Sequence, residues 1–161
     1  LRGVNERYVL APASVQLVGS RVASDPSKQL VLYRVTPPAR ITTRVAGLFP
    51  TTPGVEAWSG AHVQWLRSRC SGGTLAVKVS SDEKLFAKPS TLAVSGTTTA
   101  QTLSIAHSTV DRPITLTLAP VNGVCRVDFR ISPTQQPSSV EPGNTDTRHL
   151  GLHFTQPVYT P

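Results

Sequence analysis

Four histidines, nine carboxylates and two cysteines are the side chains able to carry proton, metal or thiol chemistry in this chain. His62, His107, His149 and His153 show no metal-ligand spacing with Cys70 and Cys125. His149 and His153 flank Gly151; four residues apart on a strand is about 13 Å, too far to share an ion, so they read as solvated surface residues. Asp82 and Glu83 are neighbours whose side chains diverge, which suits a capped, solvated turn better than an acid–base pair. There is no Gly-x-Ser-x-Gly elbow and no phosphate loop, since Gly72-Gly73 reads as a hairpin turn. No catalytic residue is expected and no cofactor; calcium, held by a loop such as Asn144-Thr145-Asp146, is the one ion the carboxylates offer.

Aromatic side chains are the other route to function, because sugars stack their C–H faces on Trp or Tyr while polar neighbours read hydroxyls. Trp65 falls on the inward face of its strand and belongs to the core. Trp58 lies between a proline turn and that strand, with Glu56 and His62 near in sequence as hydroxyl partners. It is either a plug over one end of the core or a ligand platform. Arg148 is a further candidate contact, although an arginine beside Asp146 in a loop also reads as an ion-pair partner. The candidate ligand-binding set is therefore Trp58, Glu56, His62 and Arg148.

Strands must position these residues. From Val124 to Ile131 the alternation is strict, Cys125, Val127, Phe129 and Ile131 pointing one way and Arg126, Asp128 and Arg130 the other. Similar patterns mark 29–35, stopped by Pro37-Pro38, then 40–45, 61–67, 74–80, 91–94, 101–106, 113–118 and 149–154. The 61–67 and 74–80 strands read as a hairpin across Ser71-Gly72-Gly73. Residues 1–26 give only weak signals, at 8–10 and 15–18, and predict a loosely structured N-terminal segment. Residues 81–89 hold the one candidate helical turn, 47–54 a turn-rich loop and 132–146 a long Pro/Ser/Gly loop. About nine short strands with almost no helix predict a single all-β domain over 1–161, an antiparallel β-sandwich, with jelly-roll connectivity preferred over an immunoglobulin-like Greek key.

At 161 residues, 39% hydrophobic and 16% charged, the chain suits one globular domain and has no apolar run of membrane-spanning length, so it reads as soluble. A start at Leu1 and the lack of Met suggest an excised or processed chain. The net charge of +7 attracts anionic polymers and lipid headgroups, but the arginines are scattered singly without a basic block, which argues against nucleic acid as a partner. Cys70 and Cys125 read as a disulfide in an oxidising compartment, with two buried thiols as the alternative.

Several phrases carry a resemblance: Tyr33-Arg34-Val35-Thr36-Pro37-Pro38; Gly47-Leu48-Phe49 with Trp58-Ser59-Gly60; Cys70-Ser71-Gly72-Gly73-Thr74-Leu75 followed by Ser80-Ser81-Asp82; Cys125 to Thr134; and Asp146 to Phe154. Together, over roughly residues 30–159, they resemble the extracytoplasmic C-terminal β-sandwich domain of actinobacterial membrane proteins similar to cell-envelope glycosyltransferases. The resemblance implies a jelly-roll, carbohydrate-binding-module-like domain on the periplasmic or cell-wall side of the membrane, with Cys70 and Cys125 bonded. It places transferase chemistry in a transmembrane portion of the same chain that this sequence lacks, and it assigns no sugar-binding residue. The function expected is a non-catalytic module that guides or anchors an envelope glycan acceptor. The alternative is a structural, self-assembling sandwich such as a viral capsid, pilus or surface-layer subunit.

Overall fold

The computed structural model describes residues 7–49 and 56–161, so 1–6 and 50–55, with most of the turn-rich loop, lie outside the described residues. The described chain is nearly all β: antiparallel sheets curl into a sandwich-like arrangement. A small sheet of order β1-β4-β3 is formed by β1 (Arg7–Pro12), β3 (Ser20–Asp25) and β4 (Leu30–Val35). The large sheet has β6 (Ala57–Ser68) at its centre. One side of β6 meets β11 (Val124–Ser132), which leads on to β8 (Ser90–Ser95) and β9 (Gln101–Ile105). The other side meets β12 (His153–Phe154), then β7 (Thr74–Ser80) and β10 (Arg112–Thr117). Off this path, β5 (Ile41–Leu48) pairs with β6 and with β2 (Val15–Leu17), and β13 (Val158–Thr160) pairs with β7.

The alternation of β11 is realised as read. Cys125, Val127, Phe129 and Ile131 are buried, while Arg126 and Arg130 are exposed and Asp128 is half-buried. They meet Val63 and Trp65 of β6, Leu75, Val77 and Val79 of β7, and Leu92 and Val94 of β8 in one apolar cluster. Phe129 packs edge-on against Phe154 at 5.4 Å between ring centroids. Cys70 and Cys125 form a disulfide with Cα atoms 5.6 Å apart, which suits an oxidising environment. No described helix is long and apolar enough to cross a membrane.

Four readings change. Residues 7–25, expected to be loose, carry β1, β2 and β3; their side chains cover a second small core of Ala11, Val31, Tyr33 and Val35 instead of joining the main one. The 61–67 and 74–80 strands are not a hairpin: β5 and β11 flank 61–67, and β12 from the far end of the chain stands between the first residues of β6 and the last of β7. Gly72 and Gly73 do adopt positive φ, but at Gly73 a Cβ would collide with the carbonyl of Thr160, so this glycine admits the C-terminal strand. The 149–154 strand shrinks to His153–Phe154, with Leu150 bridging to Gln135. Within the 132–146 loop, Pro137–Val140 form a short helix, α1. Residues 81–86 form a turn, Asp82 accepting the Lys84 N–H at 2.8 Å as a cap.

The disulfide closes a loop of sequence separation 55, so its loss releases the unfolded chain. The Cys70→Ser/Cys125→Ser variant is expected to lose about 4 kcal/mol of unfolding free energy in denaturant titrations, with the β circular-dichroism signature retained.

Candidate functional site

At one end of the sandwich, the first residues of β6 set Trp58 beside His153, its cross-strand partner on β12. The two rings lie 3.5 Å apart between centroids, tilted by 37°. Phe49 reaches the same place because its N–H donates to the Trp58 carbonyl at 2.8 Å, continuing the β5–β6 pairing past Leu48. Both Phe49 and Trp58 are partly buried against a third apolar cluster of Leu85, Phe86 and Leu150. The Arg148 guanidinium stands 5.0 Å from the Phe49 ring centroid, in cation–π range. Asp146 fixes it there through bonds to both carboxylate oxygens, including Nη2 to Oδ2 at 2.6 Å. That ion pair draws the Asp146 carboxyl down to about 2.

Backbone packing holds the loop that delivers Arg148 and His153. Ser59 is fully buried; its Oγ accepts the Leu152 N–H at 3.0 Å and its carbonyl accepts the Gly151 N–H at 2.7 Å. A Cβ at Gly151 would stand 2.7 Å from Ser59 Oγ and 2.8 Å from the Gly60 carbonyl oxygen, so only glycine permits this approach. Desolvation pushes the His153 imidazole below its ordinary pKa, partly offset by the Asp82 carboxylate, and Nδ1 is buried without a hydrogen-bond partner.

Glu56, two residues before Trp58, accepts a hydrogen bond from Ser80 Oγ at 3.1 Å, and Ser80 Oγ in turn accepts the Asp111 N–H at 3.0 Å. Burial, followed by the proximity of the Asp111 carboxylate, raises the Glu56 carboxyl above its ordinary range. His62 is elsewhere. It lies on the outer face of β6, where its Nε2 meets Asp128 Oδ1 at 2.8 Å, together with Gln64 Nε2 at 3.0 Å and Arg126 Nε to Oδ2 at 2.6 Å. These three donors, with Arg126 the strongest, hold the Asp128 carboxyl far below the usual carboxylate range. An open depression of about 350 Å³ beside this cluster is walled by Arg130 and by small residues including Ala93, Ser95 and Thr102, without an aromatic.

Trp58 and Arg148 are thus brought together through Phe49, Glu56 stands just before β6 with its carboxylate on Ser80, and His62 is separated from them. Trp58 also does what a core plug does, covering Leu85, Phe86 and Leu150. The reading of His153 as a solvated surface residue is overturned: it opens β12 on the face opposite the core-facing Phe154, and its cross-strand neighbour Trp58 half-buries the ring there. Phe49, in the turn-rich loop, joins the site although the candidate set does not contain it. The 144–146 loop spends its oxygens internally: Asn144 Oδ1 accepts the Asp146 N–H at 2.9 Å, and Asp146 holds Arg148. Among the described residues no group of three or more His, Cys, Asp or Glu is placed to hold a metal. The Trp58, His153 and Phe49 rings and the guanidinium fixed by Asp146 are groups whose chemistry is stacking and hydrogen-bond donation.

Two measurements check these electrostatics. Asp128→Asn is expected to cost about 2 kcal/mol near neutral pH. Because the native carboxyl is depressed, that stabilisation is full above the ordinary carboxylate value, begins to fall as pH drops below about 4 and is gone only below the far lower native value, so the gap between variant and parent narrows across that acid range. For His153 the native ring resists protonation, so stability falls as pH drops below about 6.5; thermal melts of His153→Gln should lack this component.

Comparisons with protein-family models, curated proteins and solved structures return no match for this chain.

Proposed function

We propose that the chain is a non-catalytic carbohydrate-binding module that holds or guides a cell-envelope glycan acceptor on the extracytoplasmic side of a membrane. It acts there for a membrane-anchored glycosyltransferase whose transmembrane portion belongs to the same protein. The observation that carries this reading is the half-buried Trp58, flanked by His153 and Phe49 and by an Arg148 guanidinium that Asp146 holds in one orientation. Such a ring edge offers an apolar face to the C–H side of a sugar. Arg148 and Glu56 then donate to and accept from its hydroxyls, and a preset guanidinium loses little freedom on binding. The Cys70–Cys125 bond supports an extracytoplasmic setting. The phrases quoted above around Trp58, Cys70, Cys125 and Arg148 support the glycosyltransferase context. The excess of basic residues favours glycans or neighbouring lipids that carry negative charge.

The test is an NMR titration of the labelled protein with arabinan, galactan and mannan oligosaccharides. Saturable shifts of the Trp58 indole N–H and of the backbone amides around it are expected at roughly millimolar sugar, the amide shifts lost in Trp58→Ala and the buried Trp65 signal unmoved. No shift at that concentration, or shifts undiminished in Trp58→Ala, overturns the reading.

A further inference from the structure

The outward face of β6, β11, β8 and β9 holds a second set of polar groups. Burial alternates along these strands, so Arg126, Asp128 and Arg130 of β11, Ala93 and Ser95 of β8, and Thr102 of β9 share that face. The pairing lines up His62, Arg130, Ala93 and Thr102 as one row across the four strands. Ala93 is the smallest member of the row. Its methyl leaves a gap between Arg130 and Thr102, and the depression of about 350 Å³ lined by these three residues, with Ser95 and Ala100, lies there.

The positive charge in this hollow is not answered by the described residues. Asp128 is the one carboxylate of β11, and its oxygens are already engaged: Oδ1 is met by His62 Nε2 at 2.8 Å, Gln64 Nε2 at 3.0 Å and Arg126 Nη2 at 3.1 Å, and Oδ2 by Arg126 Nε at 2.6 Å. Arg130 is exposed, and its side chain has no hydrogen bond or ion pair with another described residue. The Ser95 and Thr102 hydroxyls are equally unengaged among the described residues. The rim is held in place. Between β8 and β9 the Thr98 N–H donates to the Thr117 carbonyl at 3.0 Å and Thr97 bridges to Leu118, tying the loop to the end of β10. At Gly96, with φ +83°, a Cβ would collide with the Arg126 carbonyl, so the backbone here lies against β11.

We infer that the hollow is an oxyanion site, binding the carboxylate or phosphate of a small ligand on the Arg130 guanidinium beside the Thr102 and Ser95 hydroxyls. The guanidinium offers a rigid fork of donors that matches two oxygens of either group, and charge-assisted bonds of this kind are stronger than neutral ones. The two hydroxyls supply further donors, and the Ala93 methyl supplies a floor for the ring or chain that bears the charge. Arg126 offsets Asp128, so two arginines against one carboxylate leave β11 with a positive excess to meet an anion. A volume of about 350 Å³ is at the lower end of ligand sites and admits a single ring-sized unit, such as a sugar acid or a sugar phosphate. No aromatic lines the hollow, so a neutral sugar finds no stacking surface in it. The site shares no residue with the Trp58 end and does not rest on the glycan reading.

The test is an NMR titration of the full 161-residue chain with galacturonate, glucose 1-phosphate and neutral galactose, read at the backbone amides of residues 93–95 and 100–102. Saturable shifts at roughly millimolar acid are expected, with none from galactose, and the tighter of the two acids names the oxyanion as carboxylate or phosphate. Arg130→Gln is expected to weaken binding about tenfold. Ala93→Leu, which fills the hollow and keeps the guanidinium, is expected to weaken it as much. Both changes fall on the outward face, so the circular dichroism of the fold serves as control. Absence of shifts with both acids overturns the inference. So do equal shifts with galactose, which report a surface blind to charge. Binding undiminished in Arg130→Gln overturns it too, as does binding undiminished in Ala93→Leu, which would leave the hollow without a part in it.

Discussion

Every backbone N–H and C=O along the twelve residues of β6 needs a partner on one side or the other, and meeting that demand organises the molecule. β5 and β11 flank most of its length, while its first two residues turn to β12. One strand is therefore shared between two runs of sheet, which is how an antiparallel ladder bends round to face itself. The inward residues Val63 and Trp65 meet the buried faces of β11 and β7 because of that bend. The same hand-over from β11 to β12 brings the Trp58 and His153 rings together.

The fold class was legible because its signal is local. Strict alternation in 124–131 and 74–80 reports a buried face whatever strand lies alongside, and both segments are strands with the expected residues inward. Pairing was much less legible. Gly72-Gly73 has the chemistry of a tight turn, but positive φ is equally needed where another backbone crosses, and Thr160 crosses there. β3 escaped notice because its residues are all exposed apart from a partly buried Asp25, leaving no buried face to imprint a period.

The candidate site shows the same division. Trp58 stood out by type and position, and the Asp146–Arg148 pair by adjacency, so both could be read from the chain. His62 was grouped with Trp58 because it is four residues away, yet on an extended strand that distance carries it to a different neighbourhood, beside Asp128. His153 lay almost a hundred residues from Trp58 in sequence, and only the placement of β12 makes them neighbours. Ion pairs between near residues leave a trace in sequence; ring contacts across a sheet do not.

The insertion of β12 between β6 and β7, with β13 alongside, also constrains how the protein is made. During synthesis β6 and β7 emerge roughly eighty residues before the strands that join them. Until then β7 presents an open row of backbone donors and acceptors along one edge, and β6 at its first two residues, and such a row invites pairing with another chain. A ribosome-bound intermediate therefore holds most of its apolar residues without a closed ladder to protect them, and closure must await the residues from 153 to 160. Folding is accordingly a late, long-range event, slow in the manner of chains dominated by distant contacts. The stretch of chain that exposes this half-built sheet is where a chaperone would have most to do.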